Sequence, residues 1–215
     1  MSGKIRVRML EGPSLPSDIL ENRWPNRRRL DYKLMSYVEK LICEVRERGD
    51  SALLEFEEKF DGVKLPPDRL RVNREDIEKA YEKTSDKLIS AIEYAKSRVE
   101  AFQRELLSCL RFVYEEKGLR IRSCTSPIRR LGCYVPGGEA AYPSTLVMIA
   151  TPAKVAGVPE IAVCSPPRSG GEVNPSILVA ADICGVDEIY RLGGVQAIAA
   201  LAYGTQTVRH VDKIV

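Results

Sequence analysis

The spacing of apolar residues changes character part-way along this 215-residue chain. The first half keeps helical spacing. Between Asp31 and Arg48, the residues Leu34, Tyr37, Val38, Leu41, Ile42 and Val45 fall at three- and four-residue steps, which places them on one face of a helix. Asp31 is positioned to cap its start and Gly49 to end it at C′. Asp50 then caps a second helix, carrying Leu53, Leu54 and Phe56 and ending before Gly62. Arg74 to Lys83 reads as a third, short helix, and a fourth runs from about Ser85 to Leu107. Its residues Leu88, Ile92, Ala95, Val99, Phe102 and Leu106 step by four and three. That run is too short for a coiled coil and predicts a helix packed on a neighbour. The extended pieces Leu110-Val113-Tyr114 and Leu119-Ile121-Arg122, separated by Glu115 to Gly118, predict a β-hairpin.

From Arg130 onward, short runs rich in Val and Ile alternate with Ala-rich helical runs, and Gly or Pro marks each junction. Strands are expected at 130–135, 160–164, 188–192 and from Lys213, with helices at 144–156, 175–184 and 196–203 between them. Strands apolar on both faces that alternate with helices belong to a parallel sheet with right-handed crossovers. Asn174-Pro175 is a cap followed by a first-turn proline, and Pro143-Ser144 starts the preceding helix by the same logic, with Ser144 as its cap. The composition shifts near Pro127, from densely charged to rich in Ala, Gly, Val and Pro. The expected organisation is therefore an irregular segment over 1–30 containing the only Trp, Trp24, a helix-rich region with a hairpin over 31–127, and a parallel βαβ unit over 128–215. The fold class is α/β.

Such sheets bind ligands beyond the C-terminal ends of their strands. Those ends carry Tyr134-Val135-Pro136-Gly137-Gly138, Ser165-Pro166-Pro167 and Leu192-Gly193-Gly194. The usual dinucleotide fingerprint GxGxxG is absent. Gly193-Gly194 lies directly between a strand and a helix, so its N–H groups either receive a phosphate or simply make a tight turn. Gln196, in the first turn of that helix, offers a donor and an acceptor to a ring or ribose, or serves as a polar cap. Tyr134 either stacks on a base or packs on the next helix.

A net charge of +3, from 33 Lys and Arg against 30 Asp and Glu, gives no case for nucleic acid or a membrane surface as partner. Arg27-Arg28-Arg29 reads as a solvated run before a helix. The most apolar window, from Leu146 to Val163, is broken by Pro152, Lys154, Pro159 and Glu160, and the first residues show no export pattern. The expected location is the cytoplasm. The six cysteines lack regular spacing and read as free thiols, with Cys43, Cys164 and Cys184 as small core residues. His210, the only histidine, reads as a solvated loop residue, since a zinc site needs several ligands. The acidic pairs Glu57-Glu58 and Glu115-Glu116 read as exposed charges.

Several blocks carry a family resemblance. They are Tyr134 to Gly138, Pro143-Ser144-Thr145, Pro152 to Gly157, Cys164 to Pro167, Gly193 to Thr205 and Val211 to Ile214; the earlier Val45 to Leu53 and Phe60-Asp61-Gly62 are similar. In this order and spacing the chain resembles histidinol dehydrogenase, from about Asp31 to Val215. The resemblance implies a Rossmann-like NAD-binding unit and the oxidation of L-histidinol through L-histidinaldehyde to L-histidine, the last steps of histidine biosynthesis. It also implies two NAD molecules accepting one hydride each, a zinc ion holding the substrate, and a homodimer with shared sites. By position, Tyr134 and Gln196 match the family's NAD contacts. The zinc ligands, the proton-transferring pair and a further NAD contact fall in the part of the family beyond Val215. The chain is thus expected to be the N-terminal half of the enzyme, inactive by itself. Two alternatives stand beside it: a non-catalytic nucleotide-binding module using the Tyr134 and Gln196 turns, and an aldehyde-dehydrogenase-like relative, for which no cysteine nucleophile stands out.

Overall fold

Asp31 opens the described chain as a helix cap, its Oδ1 accepting from the N–H groups of Lys33 and Leu34 at 3.0 and 3.3 Å. The computed structural model describes residues 31–137, 141–168 and 170–215. The expectations for residues 1–30, including Trp24 and the arginine run, and for Gly138 lie outside the described residues. From Val38 onward the chain forms one compact unit.

Helix α1 spans Tyr32–Arg48 and buries Leu41 and Val45. Helix α2, Asp50–Phe56, runs into a π-helical turn, Glu57–Asp61, which Gly62 ends with φ 67°. A 3-10 turn at Pro67–Arg69 leads to α3, Arg74–Glu82. Asn73 and Asp76 close a full capping box there. Helix α4 covers Asp86–Cys109, and the hairpin β1 (Val113–Glu116) and β2 (Leu119–Arg122) follows in antiparallel register. The remainder alternates: β3 Arg130–Tyr134, α5 Pro143–Val155, β4 Glu160–Ser165, α6 Pro175–Ile183, β5 Glu188–Arg191, α7 Gly194–Tyr203 and β6 Lys213–Ile214.

The last four strands form one sheet in the order β5-β4-β3-β6, parallel throughout. Successive side chains point to opposite faces, and both faces are covered. Leu131, Cys133, Ile161, Val163 and Ile189 face a core built with Ile92, Leu146, Ala150 and Ile177 from α4, α5 and α6. Ala162, Cys164, Tyr190 and Leu192 face the other core, with Leu41, Val45, Leu53, Phe56 and Leu201 from α1, α2 and α7. The free edge of β5 is closed by residues 70–72, where the Val72 N–H donates to the Ile189 carbonyl and the Arg191 N–H to that of Leu70, both at 2.8 Å.

Several local readings are corrected. Asp50 is the first residue of α2 rather than its cap, and its carboxylate accepts from the Thr207 N–H and hydroxyl at 3.2 and 2.6 Å. Ser144 is not a cap; Pro143 takes the first turn of α5, and among the described residues no side chain closes that end. Asn174 caps α6 as expected, accepting from the Ser176 N–H at 3.0 Å. Cys43 is exposed, while Cys164 and Cys184 are buried. On α4 only Ile92 of the expected stripe is fully buried, and Leu88, Phe102 and Leu106 are exposed. His210 is exposed, as expected of a loop residue.

Gly49 joins α1 to α2 with φ 60° and ψ −133°, a region open essentially to glycine. A Cβ there would stand 2.2 Å from Gln206 Oε1. That oxygen accepts from the Asp50 N–H at 2.8 Å. Gly49→Ala should therefore lose about 1–3 kcal/mol of stability through backbone strain and a displaced Gln206. Urea denaturation of both proteins measures it, and an unchanged midpoint would contradict the geometry.

Candidate functional site

The C-terminal ends of β3, β4 and β5 lie side by side, so Tyr134, Ser165 and Arg191 introduce three adjacent turns. These turns approach closely because glycine stands where a side chain would collide. A Cβ on Gly137 would lie 2.5 Å from Ser165 Oγ, and one on Gly193 would lie 2.9 Å from the Pro166 Cβ and 3.0 Å from Asp61 Oδ2. Ser165 Oγ is buried and has no hydrogen-bond partner among the described residues. A cleft of about 850 Å³ opens elsewhere, among the strand starts Arg130 and Glu160 and the loop carrying Arg209 and His210. That end is occupied by ion pairs of Arg130 and Arg209 with Glu160. The strand C-termini are where this topology assembles a ligand site.

Tyr134 is half-buried at the end of β3, and its hydroxyl oxygen accepts from the Gly194 N–H at 3.3 Å. Gln196 lies in the first turn of α7 and is 1% exposed. Its Nε2 donates to Glu57 Oε1 at 3.0 Å, and the Gly193 N–H donates to the same oxygen at 3.1 Å. Its own Oε1 lies 2.8 Å from where a Cβ on Gly194 would stand. The two residues singled out from the sequence thus meet at one turn. Tyr134 faces its exposed side and Gln196 its buried side.

Glu57 corrects the expectation of an exposed acidic pair: its side chain is fully buried, while Glu58 beside it is exposed. Four residues after Leu53, Glu57 falls on the apolar face of the extended α2, and that spacing was the signal available in the sequence. Burial pushes its carboxyl pKa up to about 7; the neighbouring Asp61 adds to the rise, and the bonds from Gln196 and Gly193 hold it back. Asp61 is raised by its own burial. Tyr134 is also raised, again mainly by burial. The start of α7 is therefore lined by two carboxyl groups from the π-helical turn. The N–H groups of Gly193 and Gly194 are already taken by Glu57 and the Tyr134 hydroxyl. A phosphate would find neither of these donors free, which removes the simplest form of the phosphate reading at Gly193-Gly194.

The family model for histidinol dehydrogenase matches residues 25–215. The chain belongs to the histidinol dehydrogenase family. A histidinol dehydrogenase of Methanopyrus kandleri is 49% identical over 180 residues, covering 83% of this chain and 42% of the relative. One from Methanocaldococcus jannaschii is 42% identical over 197 residues, covering 91% of this chain and 46% of the relative. A crystal structure of histidinol dehydrogenase from Elizabethkingia anophelis superposes with a TM-score of 0.82 at 34% identity, over 93% of this chain and 46% of that one. The chain thus spans under half the length of these family members. The parallel sheet and its flanking helices are the family's fold over that span. No described helix is long and apolar enough to cross a membrane.

Proposed function

We propose that this chain is the N-terminal part of an NAD-dependent histidinol dehydrogenase, which oxidises L-histidinol through L-histidinaldehyde to L-histidine and works as a homodimer with zinc. The observation that carries the reading is the family match over residues 25–215. Within the chain, Tyr134 and Gln196 are the residues proposed to hold NAD, which supplies the hydride acceptor when bound.

The local geometry fits a dinucleotide in part. Tyr134 presents a half-buried ring and hydroxyl beside the exposed Gly194, and Gly137 and Gly193 keep the turns free of side chains. Ser165 Oγ, buried and without a hydrogen-bond partner among the described residues, gives a further polar atom at the same strand ends. These features suit a ring, a ribose or a carboxamide better than a phosphate, because the Gly193 and Gly194 N–H donors are taken. Tyr134 orients the ligand from the exposed side, and Gln196 stiffens the turn beneath it. Zinc is a different case. Among the described residues no three His, Cys, Asp or Glu side chains come together, so these residues do not form a zinc cage and no step is derived through the metal.

Calorimetric titration with NAD tests the cofactor assignment. Wild type should bind, and Tyr134→Ala and Gln196→Ala should each weaken binding by about ten- to a hundred-fold, the loss of a well-made hydrogen bond with its packing. Clear binding that neither substitution alters would overturn the two assignments, and no binding at all would overturn the cofactor reading.

A further inference from the structure

We propose that Glu57 and Asp61 form a one-proton clamp on the turn from Gly193 to Gln196, and that the charge of this clamp sets how tightly the turn accepts an anionic dinucleotide. The proposal rests on the reading of this turn as the NAD site. Glu57 is its positioning residue. It sits in the π-helical turn after α2 and reaches across to α7, where one oxygen receives both the Gly193 N–H and Gln196 Nε2. Its other oxygen is buried without a hydrogen-bond donor among the described residues. Asp61 stands beside it, with both carboxylate oxygens within 3.3 Å of where a Gly193 Cβ would be.

Two carboxylates in one half-buried place cannot both ionise cheaply, so the first proton is retained. Held on Oε2 of Glu57, it gives that orphaned oxygen a role as donor towards Asp61, while Oε1 keeps Gln196 and Gly193 in either state. The other titratable groups facing the pair are Tyr134 from β3 and Cys164 from β4. Burial raises both, so they stay neutral while the clamp titrates. Neither Glu57 nor Asp61 forms a salt bridge with a cation among the described residues, and Glu58 on the same turn faces Lys64 outside. His210 lines the cleft at the opposite ends of the strands. Protonated, the clamp carries one negative charge; ionised, it carries two, within about 10 Å of the negative charge of the dinucleotide.

Three consequences separate this clamp from a merely structural acid. NAD affinity should fall roughly ten-fold between about pH 5.5 and about pH 8.5, the effect of one added like charge some ~10 Å away. Glu57→Gln keeps an oxygen for Gln196 and Gly193 but cannot ionise, so its affinity should stay flat near the wild-type low-pH value. Asp61→Asn removes the repelling neighbour and should move the midpoint of the wild-type fall to lower pH. Calorimetry at constant ionic strength reads the affinities, and carbon NMR of labelled glutamate reads the Glu57 titration without ligand. Stability gives a further readout. A carboxyl raised on folding stabilises below its unfolded pKa, and that contribution is lost as pH rises towards 7. Glu57→Gln should therefore gain on wild type in urea midpoint from about pH 5 to about pH 8. A flat wild-type affinity, or a fall that Glu57→Gln retains, overturns the proposal. If wild type binds no NAD at any pH, the cofactor reading fails separately. The clamp is then judged by NMR, where an ordinary glutamate titration unmoved by Asp61→Asn overturns it and a raised one shifted by Asp61→Asn supports it.

Discussion

Arg191→Met should destabilise the protein by about 3–5 kcal/mol, the loss expected when one partner of a buried ion pair is removed. Arg191 ends β5 and is 1% exposed. One guanidinium nitrogen donates to the carbonyls of Arg69 and Arg71 at 2.8 and 2.9 Å, and another pairs with Asp76 Oδ2 at 2.6 Å. Met fills much of the volume but supplies no donor, so two carbonyls and a carboxylate lose their partner. Asp76 keeps Arg69 at 3.0 Å and its place in the α3 capping box, which sets the expected value towards the lower end. The pH dependence gives a second signature. Burial alone would raise the Asp76 carboxyl, but the Asn73 N–H and Arg191 outweigh it and hold it below its usual range. A lowered carboxyl stabilises above its unfolded pKa, and that contribution disappears as pH falls through the folded value. The gap between wild type and Arg191→Met should therefore narrow in acid, leaving the part that comes from the two carbonyls. Urea denaturation at neutral and acid pH measures both effects. A neutral-pH loss under about 1 kcal/mol would show that the guanidinium is not needed to seat residues 69–76 against the sheet.

The sheet was legible because its signal is local and doubled. Each strand is apolar on both faces, as in Ile161 to Cys164, and each helix start carries its own chemistry, as in Asn174-Pro175. Neither feature needs a partner from elsewhere in the chain to be recognised. Glu57 was not legible for the opposite reason. What receives it is a pair of donors at the start of α7, the Gly193 N–H just before it and the Gln196 side chain in its first turn, more than a hundred residues away in sequence. An acidic pair on a helix ordinarily faces solvent, and only the four-residue step from Leu53 hinted otherwise. Tyr134 and Gln196 stood out by their places at a strand end and a helix start, the family resemblance matched them to NAD contacts, and the structure adds that they meet at one turn from opposite sides. Ser144 misled because a serine after a proline resembles a cap, yet the proline takes the first turn itself. Cys43 misled because its apolar neighbours Leu41, Ile42 and Val45 define a face that excludes position 43.

Helix α4 exposes the limit of periodicity most directly, because Leu53 and Phe102 both sit on regular apolar stripes but only one of them meets a core. Leu53 is 0% exposed and packs among Phe56, Ala162, Cys164 and Leu201, fixing α2 and the turn that carries Glu57 against the sheet. Phe102 is 65% exposed at the same spacing on α4. Leu53→Ala removes buried methyl groups from a site hemmed in by a sheet and two helices, with little room to collapse. It should cost about 2–5 kcal/mol. Phe102→Ala deletes a larger side chain from the surface and should change stability by no more than about 0.5 kcal/mol. The two substitutions also differ in what they do to the candidate site. Loosening α2 moves Glu57 away from Gly193 and Gln196, so Leu53→Ala should weaken NAD binding together with stability, whereas Phe102→Ala should leave both unchanged. Urea midpoints paired with NAD titrations distinguish the two. A destabilising Phe102→Ala would mean that this end of α4 is covered in solution, and a silent Leu53→Ala would mean that α2 does not anchor the Glu57 turn.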